Sequence, residues 1–132
     1  MGKWGKVDIS GLKKLQKQLE NSAKQIEQMK LEIANKIADE FLNEVIERTP
    51  TSENNQLKNH WKTQVLKHGT GYNIIVSNDL QYASYVEYGK KLDNGGWKQG
   101  YYMLHITEQD IERKMNNIQE PIIDKYLREI FK

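Results

Sequence analysis

The sequence contains no cysteine, and this absence removes several kinds of chemistry at once. Without thiols the chain forms no disulfide, offers no thiolate to a metal and has no cysteine nucleophile. No apolar run approaches the roughly 18 residues of a membrane span. The basic start, Met1 to Lys6, is not followed by the apolar segment of a signal peptide. We therefore expect a soluble intracellular product without membrane association.

An excess of charge of one sign is also missing, because 20 basic residues nearly balance 18 acidic ones and leave a net charge of +2. Nucleic-acid binding needs a clustered basic excess, so this balance weighs against it. Only 37% of the residues are hydrophobic and the mean hydropathy is −0.84. We expect one domain, residues 1–132, with residues 1–9 as a flexible arm and with a modest core.

The N-terminal third carries the clearest periodic pattern. Apolar residues recur at steps of three, four and seven and predict one amphipathic helix from about Ser10 to Arg48. Thr49 and Pro50 end it, because a residue that precedes proline is disfavoured in the α region. About 39 helical residues span roughly 58 Å, which is long against the radius of gyration near 14 Å of a compact domain of this size.

This length leaves two alternatives for the helix. It breaks near Asn21-Ser22, or its first half projects from the body. A projecting amphipathic helix needs something to cover its apolar stripe. We therefore predict an interface with a neighbouring chain at the stripe, which contains Leu12, Leu15, Leu19 and Ile26.

The middle of the chain alternates with period two, as strands do. One predicted strand carries Leu57, Trp61, Thr63 and Val65, and the next carries Tyr72, Ile74 and Val76. His68 to Gly71 is predicted to connect them as a four-residue turn. Two strands alone are marginally stable, so a third strand or a covering helix is required.

A short helix is predicted over Leu80 to Tyr88, with Gly89 in the left-handed position that ends it. Lys90 to Gly100 is predicted to be a mobile glycine-rich loop that a neighbour orders, with Trp97 as the anchor. A C-terminal helical pattern begins near Tyr101 and contains Pro121, which kinks or restarts it. The predicted fold class is α+β: a long N-terminal helix and a C-terminal helical segment packed on a small antiparallel sheet.

Polar residues with catalytic potential are scattered. The three histidines, His60, His68 and His105, have no partner at metal-ligand spacing. The acidic helical series of Glu40, Glu44 and Glu47 is typical of a solvated face, with Arg48 four residues after Glu44. We therefore predict no metal and no cofactor.

Asp79, Glu87 and Lys90 resemble a nuclease centre only superficially, because the Glu-x-Lys spacing is absent. There is also no phosphate-binding glycine loop and no serine nucleophile elbow. We therefore predict that the protein is not an enzyme.

Six aromatic residues crowd into one segment, which contains Tyr82, Tyr85, Tyr88, Trp97, Tyr101 and Tyr102. Three interpretations stay open: the edge of a core, a protein interface, for which Tyr and Trp are enriched, or a stacking surface for nucleic acid. Nearby acidic residues offset the few lysines, which disfavours the last of these.

The run from Tyr82 to Gly89, YASYVEYG, resembles a signature of the "gene product ten-like" tail components of tailed bacteriophages, also called tail-completion or head–tail joining proteins. Further features of that family follow in the same order along the chain. They are Gly11-Leu12 at the helix start, Thr49-Pro50-Thr51 at its end, Leu57, Ser77-Asn78, and Met103-Leu104 opening the last helix.

Two positions depart from the family pattern. Asn54-Asn55-Gln56 stands where a glycine is usual, and Tyr102 stands where a proline is frequent. Within the motif, Tyr82, Tyr85 and Val86 would pin the short helix to the sheet. Gly89 would let the chain reverse. Glu87 would be structural, held by backbone N–H groups or a basic side chain, because an unpaired buried carboxylate is costly.

The resemblance implies a non-enzymatic virion protein at the tail top or neck of a phage or of a headless tail-like bacteriocin. It implies a ring, sixfold to match a tail tube. In isolation we expect a monomer or a weak oligomer, because the apolar stripe from Leu12 to Met29 exceeds what a compact core of this length could cover. The implied partners are the tail terminator, tail tube or connector proteins, with no specific nucleic acid. The alternative function is a small phage-encoded DNA-binding module, and a nuclease ranks third.

Overall fold

The structure, a computed structural model, describes residues 9–51 and 55–132, with side chains from residue 16 onward. The helices are α1 (Ile9–Arg48), α2 (Gln56–Asn59), α3 (Ala83–Tyr88) and α4 (Met103–Ile130). The strands are β1 (Trp61–His68), β2 (Gly71–Asn78), β3 (Gly89–Lys91) and β4 (Trp97–Gln99). The α+β prediction is confirmed, with long helices near both ends of the described chain and small antiparallel sheets between them. The predicted arm falls on residues outside the described ones, except Ile9, which is helical.

The first helix runs unbroken for 40 residues, about 60 Å, and does not break at Asn21-Ser22. Helix α4 packs along it in the opposite direction. Arg48 Nη1 donates to Thr107 Oγ1 at 3.1 Å near one end, and Lys125 Nζ donates to Glu32 at 2.7 Å farther along. Because α4 reaches back only to the region of Leu19, the first turns of α1 extend beyond it.

Strands β1 and β2 form a hairpin that packs on α1. His68 pairs with Gly71, so the connection is the two residues Gly69 and Thr70, and the prediction of a four-residue turn was wrong. Gly69 has φ +60°, as the first central position of a type II′ turn requires. Leu57 lies in α2 and not in the strand, because its four-residue step to Trp61 also fits one helical turn.

The core lies at the end of the molecule where α1 stops. Val45, Leu57, Trp61 and Met103 are buried together. The indole N–H of Trp61 donates to Thr49 Oγ1 at 2.8 Å, and that hydroxyl donates to the Val45 carbonyl at 2.6 Å. A buried polar group needs such partners, so these bonds fix the Trp61 ring against the last turn of α1.

The segment Lys90–Gly100, predicted to be a glycine-rich loop, contains most of a second hairpin, in which β3 pairs with β4. Leu92 N donates to the Gly96 carbonyl at 2.7 Å and closes its turn. Helix α4 continues through Pro121 for 28 residues and does not restart there.

The accessible surface of the chain is 10313 Å². A compact monomer of this mass exposes about 7,200 Å². The long helix pair contributes to this surface, because the first hairpin reaches along α1 only as far as Glu27 and Lys30. The protein therefore presents more surface to its surroundings than its size requires.

Candidate functional site

The tyrosine motif places Glu87 at the start of α4. Its side chain is buried, with 6% of the residue exposed. Oε1 accepts the backbone N–H of Leu104 at 2.8 Å, and Oε2 accepts that of His105 at 3.1 Å. These are the second and third N–H groups of α4, the pair that an N-cap side chain ordinarily satisfies. The carboxylate therefore caps the helix from another element, which is the kind of partner that the sequence analysis expected for it.

The chain before α4 cannot supply this cap itself. Tyr102 occupies the N-cap position but makes no capping bond through its side chain, and the first turn holds no acidic residue. Tyr102 also has φ +51°, an uncommon conformation for a bulky residue. Proline, with φ near −65°, could not adopt it, so this chain starts α4 differently from the pattern of the family it resembles. The charge of Glu87 also complements the positive end of the helix dipole.

Two glycines let the chain pass close to the motif. Gly89 has φ +100° and ψ 175°, a region almost restricted to glycine, and not the left-handed helical conformation that was predicted. A Cβ on Gly100 would lie 2.3 Å from the Glu87 carbonyl oxygen. The segment that follows β4 therefore passes directly against the end of α3. This close passage places Glu87 beside the start of α4.

The tyrosines of the motif do not pin α3 to the sheet, so that prediction was wrong for Tyr82 and Tyr85. Both side chains are exposed. Val86 does contact the core cluster, together with Ala83 and Leu80. Helix α3 has only six residues, and the tyrosines lie on its outer side. These smaller apolar side chains therefore hold the helix against the core cluster.

Several aromatic side chains are exposed around α3 and the β3–β4 hairpin, and we call this set the aromatic patch. Lys90 Nζ lies 5.7 Å from the ring centroid of Tyr85, a cation–π arrangement. Trp97 lies directly beside Gly89, because a Cβ added at Gly89 would lie 2.8 Å from the indole nitrogen. The patch consists of Tyr85, Tyr88, Trp97 and Tyr101, with Lys90, Lys91 and Lys98 on the adjoining hairpin.

A second exposed surface, which mixes apolar and polar side chains, lies at the far end of the helix pair, and we call it the helical groove. Its volume is about 520 Å³, and it lies between Leu19 and Ser22 of α1 and Ile130 and Phe131 at the end of α4. Leu19 is 63% exposed. Ile26 is also exposed farther along α1. The side chains of Leu12 and Leu15, predicted for the same stripe, lie outside the described residues.

Glu44 lies between the helices, so the prediction that it belongs to a solvated face was wrong. It accepts from Arg48 at 3.2 Å and also pairs with Lys114. Asp110 accepts from Lys114 at 2.9 Å. The Glu44 contact, with Asp110, raises the pKa of Lys114 above its usual range, and the Lys114 contact lowers the pKa of Asp110. The cluster ties α1 to α4 and leaves no carboxylate free as an acid or base.

The other candidate catalytic residues do not converge. Asp79 accepts from Lys62 at 3.0 Å and from His60 at 2.6 Å, taking that ring nitrogen as the donor, and these contacts, that of Lys62 first, lower its pKa. Glu87 is committed to backbone N–H groups, and Lys90 lies over Tyr85. Within residues 9–51 and 55–132 no three histidine or acidic side chains gather as a metal site would require. None of the described helices has the length and apolar content needed to cross a membrane.

Sequence reasoning missed several residues that shape this site. Gly100 is one of several glycines in a loop-like stretch, and only the passing backbone of Glu87 and Tyr88 distinguishes it. The partners of Glu87 are main-chain groups of Leu104 and His105, which no side-chain pattern reveals. The sole advance signal was the family-like pair Met103-Leu104 at the start of the last helix.

Comparison with known proteins finds a family match. Residues 13–89 match the model of a family described as "Bacteriophage HK97-gp10, putative tail-component". The match runs from the first turns of α1 to Gly89 and covers more than half of the chain. No curated protein and no solved structure matches. On the strength of the family match, the chain belongs to the HK97-gp10-like family of bacteriophage tail components.

Proposed function

We propose that this protein completes the tail of a phage or phage-tail-like particle, or joins tail to head, as one subunit of a ring at the tail top. Membership of a tail-component family supports a role in the tail. The observation that carries the proposal is that exposed aromatic and apolar side chains lie in two groups at opposite ends of the helix pair. They are separated by roughly 40 Å, the length of α4.

Two separate surfaces suit a subunit that must hold neighbours on more than one side. Ring contacts are heterologous, since each subunit offers two different patches to its two neighbours. The aromatic patch has the Tyr and Trp side chains that dominate interface energetics. The helical groove is open and presents Leu19, Ile130 and Phe131 among polar side chains, so a neighbour's apolar side chains could cover them. The implied neighbours are further copies of this chain and the tail terminator, tail tube or connector proteins.

Electron microscopy of the particle tests the proposal directly. We expect density for this chain at the tail top or neck, in several copies related by rotation, with six as the number that matches a tail tube. Deletion of its gene should leave tails that fail to finish or to join heads. A single copy in the particle, or a position at the tail tip, would contradict the proposal.

Trp97→Ala tests the aromatic patch in the same particles. We expect the isolated variant to fold, since Trp97 lies outside the core, and particle assembly to fail because the anchor is gone. Tyr82→Ala is the matched control, an exposed aromatic residue that is not part of the patch. Normal stoichiometry in Trp97→Ala particles would remove the patch from the interface.

A DNA-binding module is the second candidate, favoured by Lys90, Lys91 and Lys98 beside exposed aromatic rings. Such binding would weaken steeply as salt rises, because phosphate contacts release counterions. Affinity for DNA measured over a salt series distinguishes the two. A steep slope that Lys98→Gln flattens would favour DNA, and the absence of measurable binding would leave the tail role alone.

A further inference from the structure

The hairpin of β1 and β2 is a sheet with two edges. Within the described part of the chain each of these strands pairs only with the other. His68 and Gly71 flank the two-residue turn and exchange hydrogen bonds, so every second residue from there directs its N–H and C=O away from the hairpin. On β2 the outward residues are Tyr72, Ile74, Val76 and Asn78.

Strand β2 lacks the features that ordinarily protect an edge. Its sequence, GYNIIVSN, contains no charged residue and no proline. Its eight-residue register with β1 contains no bulge. Native edge strands usually carry a lysine, a proline or a bulge because an open row of backbone groups recruits other strands. On the outer face, Ile75 and the neighbouring Leu66 are exposed as well.

We propose that β2 pairs with β1 of a second copy of this chain, so that copies join head to tail through a shared sheet. The inference rests on the proposed function, because it names a backbone contact between copies within the ring, in addition to those of the aromatic patch and the helical groove. An unpaired strand edge recognises an extended strand, whose backbone supplies the matching donors and acceptors. Eight paired residues would extend for about 26 Å along the contact.

The hairpin itself indicates why the occupant is a second copy. Strand β1 has the same length as β2, and its outward groups have no described backbone partner either. One kind of contact therefore satisfies both edges of every subunit. Because the edge of β1 differs from the edge of β2, the contact is heterologous, and it closes into a ring when the rotation between copies permits.

Charge agrees with this pairing. The two lysines of β1, Lys62 and Lys67, are already paired with Asp79 and Glu27 of their own chain, and β2 has no charge to oppose them. In an antiparallel arrangement, Asp79 at the end of β2 would come beside the start of β1 of the second copy, near its Lys62. Asp79 is half exposed beside its own Lys62, and so it can accept another donor. Symmetric pairing of β2 with β2 would leave β1 open and would stop at dimers.

Amide hydrogen exchange in the assembled ring tests the inference. Exchange is run on rings formed by concentration or taken from tail particles, quenched, and read by NMR after dissociation. We expect the outward amides of both strands to exchange at least about tenfold more slowly than in the monomer. The inward amides, already bonded within the hairpin, should change little. This alternation distinguishes strand pairing from ordinary surface contact.

Protection confined to β2 would overturn the head-to-tail arrangement in favour of symmetric dimers. A ring without new protection in either strand would overturn strand pairing and leave the proposed tail role standing. A chain that forms no ring, either alone or in particles, would contradict the proposed function itself and this inference with it.

A variant pair gives an independent test. Ile75→Lys places a lysine on the exposed face of β2 while its own backbone bonds to β1 remain. We expect a folded monomer whose ring dissociation constant rises at least about tenfold, since lysine on an edge strand opposes addition of another strand. Ile106→Lys on α4 is the control, because the two isoleucines are 45% and 39% exposed. Equal ring formation by both variants would contradict the inference.

Discussion

The two ends of the helix pair differ in how many elements cover them. At the end near Val45, the helices meet α2, α3 and the first hairpin, and apolar side chains are buried from several directions. At the end near Leu19, only α1 and α4 pack together, and Phe131 stays exposed. Buried apolar area is the main favourable term in folding. The first end therefore stabilises the fold, and the second end offers surface to a neighbour.

The polar contacts follow the same division. Near the core, Glu87 and Thr49 are buried and bonded at short range. Toward the other end, the helices are tied by exposed pairs such as Lys125 with Glu32. Exposed ion pairs add little stability because water and salt screen them. The helical end is thus held by the packing of α1 on α4 and by the continuity of both helices, with little from these ion pairs.

Truncating one leucine at each end gives the largest contrast. Leu57 is 2% exposed and Leu19 is 63% exposed. We expect Leu57→Ala to lower the free energy of unfolding by about 2–5 kcal/mol because it opens a cavity. Leu19→Ala should change it by less than about 0.5 kcal/mol, and should impair particle assembly instead. Chemical denaturation of both variants checks this, and equal losses would contradict the division between the ends.

Adding one methyl group at Gly100 should come next. Its Cβ would meet the Glu87 carbonyl oxygen at 2.3 Å, a backbone atom that cannot move aside freely. We expect Gly100→Ala to cost about 3 kcal/mol, at the upper end for overpacking. Gly71→Ala is the control, because its Cβ would come no closer than 3.9 Å to another atom. If the two variants melt alike, the close passage at α3 is wrong.

Replacing Glu87 by glutamine should have a smaller effect. The amide keeps one acceptor oxygen, but its NH₂ group then faces a backbone N–H of α4. We expect Glu87→Gln to cost about 1–3 kcal/mol, since a buried donor is left unpaired. Glu108→Gln, on the exposed face of the same helix, should change little. An unchanged melting temperature for Glu87→Gln would remove its capping role.

Acidification should produce the smallest effect, and Glu32 contributes the part of it that belongs to the helical end. The hydrogen bond from Lys125 lowers the pKa of Glu32 below its ordinary 4.5. A lowered folded pKa contributes stability that is present above the unfolded value and is lost as pH falls through the folded one. We expect the melting temperature to hold from pH 7 to about 5 and to decline below that range. Glu32→Gln should make the decline shallower, and a rise in melting temperature on acidification would contradict the assignment.

Local patterns predicted the long elements well. The apolar periodicity of α1 and the stop at Pro50 depend on nearest neighbours along the chain, and the helix ends at Arg48 as predicted. Short elements were harder to predict, because a single apolar residue fits both the helical period and the strand period. Leu57 was assigned to a strand on a spacing that also fits a helical turn.

The conformations of special residues depended on contacts that the pattern does not contain. Asn55 adopts φ +50° where the resemblance led us to look for glycine, and asparagine is among the few residues that tolerate it. Tyr85 was placed inside and lies outside, because a six-residue helix has too small an inner face for every apolar side chain. The segment from Lys90 to Gly100 folded into a hairpin despite its glycines.

The sequence by itself determined the two long helices, the hairpin and the family, since periodicity, proline placement and the tyrosine motif are local properties. Only the tertiary structure decided that Glu87 caps α4, that Glu44 joins two helices and that Gly100 crosses α3. Each of these depends on groups brought together from separate parts of the chain, two of them backbone groups with no side-chain signature. The capped carboxylate is the clearest case, because its partners are hydrogen-bond donors that every residue except proline carries.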